Sequence, residues 1–379
     1  MDRYMDVANK LNLIFLGESA GVVYWKPNGL KLYENLKSFI REHHQKRGYL
    51  EVKSPSLVSN ELFIRSGHNE KYKENMFFIE GMNNYSLRPM SCPNHILLYS
   101  SEKRSYKELP LSLFEFGDVF RNEPSGSLQV LFRQRQFCQD DSHIFVSQDK
   151  LIESIINYLK MAKEVYKELG FEDVQYAISL RPEKRFGSDN LWDMAENSLK
   201  EACIKEGIEF DELIGEGAFY GPKIELKVKD KLDRLWQLGT LQLDYVLPER
   251  FDLNYINSKD EMERPVILHH AVLGSLERMI GILLESFGVH LPSFLHPYPE
   301  VIMAVSEKSL EYAKILSNEN NVLLDNSDEP LAKKIRFWKE KGVPKIYVVG
   351  EKEFNGYKEE GIKKAVLNSE GKKEDIIFN

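Results

Sequence analysis

The sequence predicts an α+β chain in two parts: a large part that mixes long helices with alternating strands, and a small α/β module after it. Three observations carry this. Pro292, Pro297 and Pro299 in LPSFLHPYPE (residues 291–300) disfavour helix and mark a linker. Before the linker, segments with period-two alternation outnumber the helical ones. After it, short apolar strands alternate with helices, as in an α/β unit.

The elements follow in order. Residues 29–47 carry Leu30, Leu32, Tyr33, Leu36 and Ile40 at the spacing of one helix face, and Gly48 stops the pattern. Tyr49 to Val58 reads as a strand, and its Pro55 belongs at an edge or an interface. Residues 120–145 read as two antiparallel strands with a turn at Pro124, Ser125 and Gly126. A second long helix covers 150–170 and ends at Gly170. Strands are expected at 174–181, 222–229, 234–246 and 264–273, and a helix opens at Gly274–Ser275 and runs to 289. Past the linker, strands at Val301–Val305, Val322–Asp325 and Ile346–Val349 alternate with helices at 307–320 and 330–342. No internal repeat or low-complexity tract is present.

Composition narrows the class. The chain has 379 residues, 42% hydrophobic and 29% charged, as in soluble globular proteins. No apolar run is long enough to span a bilayer, and MDRYMDVANK lacks the apolar core of a signal peptide. Three cysteines fit a reducing compartment better than a disulfide framework. A net charge of −8 gives no bulk attraction to nucleic acid but leaves room for local basic patches.

The most informative stretch is FRNEPSGSLQVLFRQRQFCQDDSHIF, Phe120 to Phe145. It concentrates Arg121, Glu123, Arg133, Arg135, Asp140, Asp141 and His143. An arginine fork never loses its charge and matches phosphate geometry. A solvated hairpin with surface ion pairs is the plainer reading of any one arginine, but the set, with Phe137, points to a nucleotide site. No GxxxxGK[ST] loop is present, and Gly215, Gly217 and Gly221 lack the GxGxxG spacing, so arginines must hold any phosphates. Cys92, His143 and His269 form a donor set that zinc accepts with one position open. Each has a plainer reading, a buried thiol or a core histidine. His95 competes as the partner in a C-x-x-H pair, and of the adjacent His269 and His270 only one can face a common site.

The motifs RPMSCPNH, FRNEPSG, FCQDDSHIF, RPEKRFGSD, GEGAFYGPKIE, WQLGTLQLDY and HHAVLGSLERMIG, in this order, resemble those of the class II aminoacyl-tRNA synthetases, and within them the threonyl-tRNA synthetase family. The similarity runs from about Asn9 to the end. It implies an antiparallel sheet flanked by helices, followed by an α/β anticodon-binding domain. On this reading, residues 1–28 are a lead-in segment, 29–296 the catalytic domain, and 297–379 a reduced anticodon-binding-like domain. The helix and Pro55 strand match the family's dimer-forming motif, so a homodimer is implied. So are a cytoplasmic location and a threonine–tRNA ligase that takes ATP with Mg2+, L-threonine and tRNA(Thr).

Residue roles follow by resemblance. Cys92, His143 and His269 match the ligands of one Zn2+ per subunit, which in the family binds the amino group and hydroxyl of threonine. Asp141 matches the acid that binds the ammonium, helped by Tyr220 and Gln139. Arg121 matches the arginine on the α-phosphate, and Arg133 the one on the γ-phosphate. Arg278 stacks on adenine with Phe137 on the other face, and Glu123 lies near the adenine amine. Lys223 stands where the family has a phosphate-binding lysine. Gln237, Thr240 and Gln242 line the amino-acid pocket. Gln237, Thr240 and Ser275 also count with the ATP-binding set, and Met90 and Gln242 with the threonine-binding set. His68 matches a histidine that takes the proton of the tRNA ribose hydroxyl, for which a near-neutral imidazole is suited. Read alone, it is a surface loop histidine.

The departures set further expectations. The start of the chain, just before the catalytic motifs, implies no editing in cis and appreciable serine activation. Residues 300–379 carry 14 Lys+Arg against 15 Asp+Glu. The family's anticodon segments read here as Asp325–Asn326–Ser327 and Ala365–Val366–Leu367–Asn368, with Glu353 surviving, and no final helix follows. His270 replaces an arginine and Leu238 a smaller residue, both at the pocket edge. Two alternatives stand beside the ligase: a paralogue that makes threonyl-adenylate for another acceptor such as a carrier protein, and a noncatalytic tRNA-binding protein.

Overall fold

A computed structural model describes residues 3–81, 84–361, 363–369 and 372–378. The chain forms two compact units, one of Leu16–Tyr24 and Leu36–Ile282, the other of Met1–Phe15, Trp25–Asn35 and Leu283–Asn379.

The larger unit is built on an eight-stranded sheet. Its order is Phe210–Leu213, Val174–Ser179, Lys223–Lys229, Leu235–Asp244, Val266–Ala271, Gln136–Val146, Leu111–Phe120 and Leu50–Glu51. The five inner pairings are antiparallel and the two outermost are parallel. The expected antiparallel sheet flanked by helices is therefore what the chain forms. The helix Leu151–Glu168 covers one face. Tyr158 and Tyr166 lie on it, and their hydroxyls donate to the carbonyls of Ala271 and Val272. Its fully buried Leu151, Ile155, Leu159 and Val165 each contribute roughly 1.5–3 kcal/mol of hydrophobic stabilisation. His44, near the end of the helix Pro27–Gln45, stacks on Phe114 and His270 on the same face. The opposite face holds the site.

Two expectations change, and three helices are added. The strand at 49–58 is two short strands, Leu50–Glu51 and Leu57–Ser59, in different sheets. Pro55 lacks the N–H a continuous ladder needs, and Ser54 N–H donates instead to the Glu115 side chain at 3.0 Å. The two strands around Pro124 exist, but a loop of residues 121–135 joins them rather than a tight turn, with a 3₁₀ turn at Ser125–Ser127 inside it. The helices Asn60–Ser66, Cys92–Ser100 and Asp189–Lys205 had no clear periodic signature. Cys92–Ser100 lacks an amphipathic stripe because its buried residues include the polar Asn94 and His95 while Leu97 is exposed.

The second unit carries a five-stranded sheet, ordered Leu323–Asp325, Glu300–Ala304, Lys345–Val349, Lys364–Ser369 and Lys372–Ile377. Its first three strands are parallel, with the helices Glu307–Asn320 and Leu331–Glu340 between them, as the alternation predicts. A helix at Glu351–Glu360 and the antiparallel pair at the end of the sheet add to the predicted elements. Asp325 is held within the unit, accepting from Ser327 and from Trp338 Nε1 at 2.7 Å. Glu353 caps its own helix by accepting from Gly350 N–H at 2.8 Å.

Candidate active site

Strand register assembles the site. Lys223 pairs with Gln242, Gln242 with His269, and His269 with His143. Directly opposite residues in a sheet point to the same face, so four strands deliver these side chains in one row. Alternation along Gln136–Val146 adds Phe137, Gln139 and Asp141 to that face. Asp140 points the other way, where it accepts from the backbone N–H groups of Val272 (2.8 Å) and Leu273 (3.0 Å). The same alternation resolves the adjacent histidines. His269 joins the row, while the His270 ring bonds Tyr49 Oη at 2.9 Å on the helix-covered side.

The row forms the floor of a cavity of about 500 Å³. Its walls include Met90, Arg121, Tyr220, Gln237, Thr240, Ser275 and Arg278, so fifteen of the eighteen site residues named from the sequence share one cavity: these seven with Cys92, Phe137, Gln139, Asp141, His143, Lys223, Gln242 and His269. Leu238 and His270, the two departures, also border it, although the His270 ring turns to the opposite face. Glu123 and Arg133 line an adjoining cavity of about 180 Å³ that shares Arg121, Phe137, Ser275 and Arg278. Gly274 lets the chain turn here. Its φ is +74°, and a Cβ would lie 2.5 Å from the Leu238 carbonyl oxygen, so only glycine fits without strain.

At one end, Cys92, His143 and His269 are buried with one ligand atom each, all within 4.8 Å of one another. A thiolate and two imidazoles are a donor set suited to zinc, with a fourth position open. Cys92 begins the helix Cys92–Ser100, which sets its thiol beside the row. His95, the competing candidate, lies outside the cluster as a neighbour of His143. Among the described residues this is the only such group.

At the other end, the arginines are already engaged. Arg121 donates to the Pro89 carbonyl at 3.3 Å, and its guanidinium lies 5.0 Å from the centre of the Phe137 ring. Arg278 donates to the carbonyls of Phe132 (2.9 Å) and Gln237 (3.2 Å). Half-exposed Arg133 pairs with Glu123 at 2.7 Å. Lys223 pairs with Glu225 at 2.8 Å, and Gln237 donates to Thr240 Oγ1 at 2.9 Å.

Burial dominates the electrostatics. It pushes the Cys92 thiol and the Asp141 carboxyl up and the His143 ring well down, because burial penalises the charged form of each. A cation arriving beside Cys92 and Asp141 offsets that penalty. Burial and the neighbouring Arg121 also lower Arg278. His68 is not a surface histidine. It is wholly buried, with Nδ1 2.8 Å from Ser66 Oγ and Nε2 3.3 Å from Met90 Sδ, and burial pushes it down to about 3 rather than leaving it near neutral.

The comparisons agree with this geometry. Residues 72–287 match the model of the tRNA synthetase class II core domain (G, H, P, S and T), and residues 301–364 that of the anticodon-binding domain. The RNA binding domain of threonyl-tRNA synthetase from Cryptosporidium parvum Iowa II superposes with a TM-score of 0.94 at 37% identity, covering 99% of this chain and 95% of that one. The chain belongs to the threonyl-tRNA synthetase family. Another member, the threonine–tRNA ligase of Marinobacter nauticus, is 42% identical over 354 residues, 92% of this chain and 55% of that protein. A putative threonyl-tRNA synthetase from Aeropyrum pernix superposes with a TM-score of 0.83 at 29% identity, covering 99% of this chain and 91% of that one. The chain spans about half the length of the curated relatives it matches.

Several residues of this family member escaped the sequence reading. Arg88 and Glu115 form a buried ion pair at 2.7 Å, Glu115 lies 3.2 Å from His95, and Asp244 meets His269 at 2.9 Å. Alternation places Asp244 on the same face as Gln242, a signal present in LQLD but silent without knowledge of the face.

Proposed function

We propose that the chain is a threonine–tRNA ligase, activating L-threonine with ATP and passing the threonyl group to the 3′ end of tRNA(Thr). One observation carries the reading: the Cys92–His143–His269 cluster shares a single cavity with Asp141, Arg121 and Arg278. Zinc held by the three ligands would supply Lewis-acid coordination for an amino group and a vicinal hydroxyl, and valine has the first but not the second.

The chain's own residues do the rest. Asp141, with Tyr220 and Gln139, receives the ammonium. Met90 and Gln242 border the threonine end, while Gln237, Thr240 and Ser275 border the ATP end. Arg121 meets the α-phosphate, Arg133 the γ-phosphate, and Arg278 and Phe137 the adenine, with Glu123 near its amine and Lys223 near the phosphates. Mg2+ accompanies the ATP. A threonine carboxylate oxygen attacks the α-phosphorus, the bond to pyrophosphate breaks, and a fixed cation lowers the energy of the charge that builds there. In transfer, a ribose hydroxyl attacks the acyl carbon, AMP leaves, and His68 is the candidate acceptor of the hydroxyl proton. In the free chain burial lowers its basicity.

We assign residues 29–296 to catalysis and 297–379 to anticodon binding, and propose a cytoplasmic homodimer. No described helix is long and apolar enough to cross a membrane. The test is threonine-dependent ATP–pyrophosphate exchange followed by charging of a tRNA(Thr) transcript. Both should proceed in the wild type, serine should also exchange because one methyl separates it by only about 1–3 kcal/mol, and His68→Ala should lose charging alone. Absence of exchange would refute the reading. Exchange without charging favours the non-tRNA acceptor, to which the near-balanced charge of residues 300–379 also points.

A further inference from the structure

The two histidines of the metal cluster are each gripped by a second group, and the grips differ. Asp244 Oδ2 lies 2.9 Å from His269 Nε2. Its other oxygen, Oδ1, accepts from the backbone N–H groups of Val246 (2.7 Å) and Leu247 (2.9 Å), so the carboxylate cannot turn away. Asp244 is fully buried. The proton on His269 therefore sits on Nε2, and Nδ1 keeps its lone pair.

His143 is held through a histidine. Its Nδ1 lies 2.8 Å from Nδ1 of His95. One of these nitrogens must donate and the other accept. The other nitrogen of His95, Nε2, lies 3.2 Å from Glu115 Oε1 but off the line of a hydrogen bond, and the group beside it is a carboxylate, which only accepts and so favours a proton there. Glu115 is locked in turn by Arg88 at 2.7 Å and by Ser54 at 2.6 Å. The His95 proton thus sits on Nε2, its Nδ1 accepts, and His143 donates from Nδ1. That leaves the lone pair of His143 on Nε2.

We propose that Asp244 and the Glu115–His95 pair are positioning residues that assign opposite ring nitrogens to the metal, Nδ1 of His269 and Nε2 of His143. The inference rests on the zinc-dependent reading of the site. Partners of this kind fix ligand tautomers, and their loss costs roughly 10–100-fold in metal affinity.

The two grips predict opposite responses to amide substitution. In Asp244→Asn, the oxygen is retained by the Val246 and Leu247 N–H groups. The amide NH2 then faces His269 Nε2 as a donor and enforces the wrong tautomer. In His95→Gln, the amide oxygen can accept from His143 Nδ1, whereas His95→Leu offers no acceptor.

The experiment is chelator competition for zinc on the purified full chain, with the absorption spectrum of the cobalt-substituted protein as a second readout. Melting of the metal-free proteins controls for folding. Asp244→Asn and His95→Leu should bind zinc roughly 10–100-fold more weakly and perturb the cobalt bands, with His95→Gln close to wild type. Wild-type affinity in both Asp244→Asn and His95→Leu would overturn the inference while leaving the zinc reading intact. Equal loss in His95→Gln and His95→Leu would overturn the tautomer account of His95. A wild-type chain that takes up no zinc would overturn both readings.

Discussion

The two ends of the main cavity are built on different terms. At the metal end, sheet register sets His143 and His269, helix geometry sets Cys92, and buried carboxylates stand behind the rings. At the arginine end, the cations sit on a loop and a helix start, and protein acceptors already engage them. The contrast shows what each ligand demands. A metal site needs donors of the right kind and number brought together at bonding distance. A polyphosphate carries enough charge to compete with internal partners, and in the Arg133–Glu123 pair the arginine is half exposed while Glu123 is buried.

The largest effect is expected at the boundary of these two ends. Arg121→Ala should lower ATP–pyrophosphate exchange by about 10²–10³-fold, the typical result of removing a group that meets developing charge. Its zinc content should not change. Loss of zinc from this variant would break the contrast, because it would mean the two ends are one cooperative unit.

Arg133→Ala should cost less. Its guanidinium is half exposed and already paired, so a rise in the KM for ATP of roughly tenfold, about 1.4 kcal/mol, with kcat nearly unchanged, is expected from steady-state kinetics. A loss as large as that of Arg121→Ala would show that the loop is organised before ATP binds.

A third test lies beneath the metal end. Burial raises the Asp140 carboxyl from 3.8 to about 7, so the folded state holds its proton more tightly than the unfolded state. The stability this confers is complete below 3.8 and is lost as pH rises toward about 7. Asp140→Asn lacks the titration. In denaturant melts the stability of the wild type relative to Asp140→Asn should therefore fall as pH rises through that window. A pH-independent difference would show that Asp140 ionises normally.

Much of this was legible in the chain because it depended on local patterns. Alternation gave the inner strands, and Leu32, Leu36 and Ile40 gave a helix, where all three are fully buried. In the second unit, strands alternating with helices at Val301, Ser306 and Leu331 exposed the α/β order. Motif order identified the cavity's residues. Local pattern failed where burial did not follow polarity, as in Cys92–Ser100, and where a backbone partner lay far away, as at Pro55, whose neighbour Ser54 bonds Glu115. His68 read as a surface residue for the same reason, since Asn69 and Glu70 beside it are polar while the residues that enclose it, Phe63, Met90 and Phe219, are mostly distant in sequence.

By itself, then, the sequence determined the element types, the family motifs and the inventory of donors, because these depend on residue identity and spacing along one chain. Only the tertiary structure decided which of His269 and His270 faces the metal end, that His95 stands behind His143 rather than beside Cys92, and which nitrogen of each ring is free. Those outcomes depend on strand register and on carboxylates brought in from other strands, where a shift of one residue would turn every side chain to the opposite face.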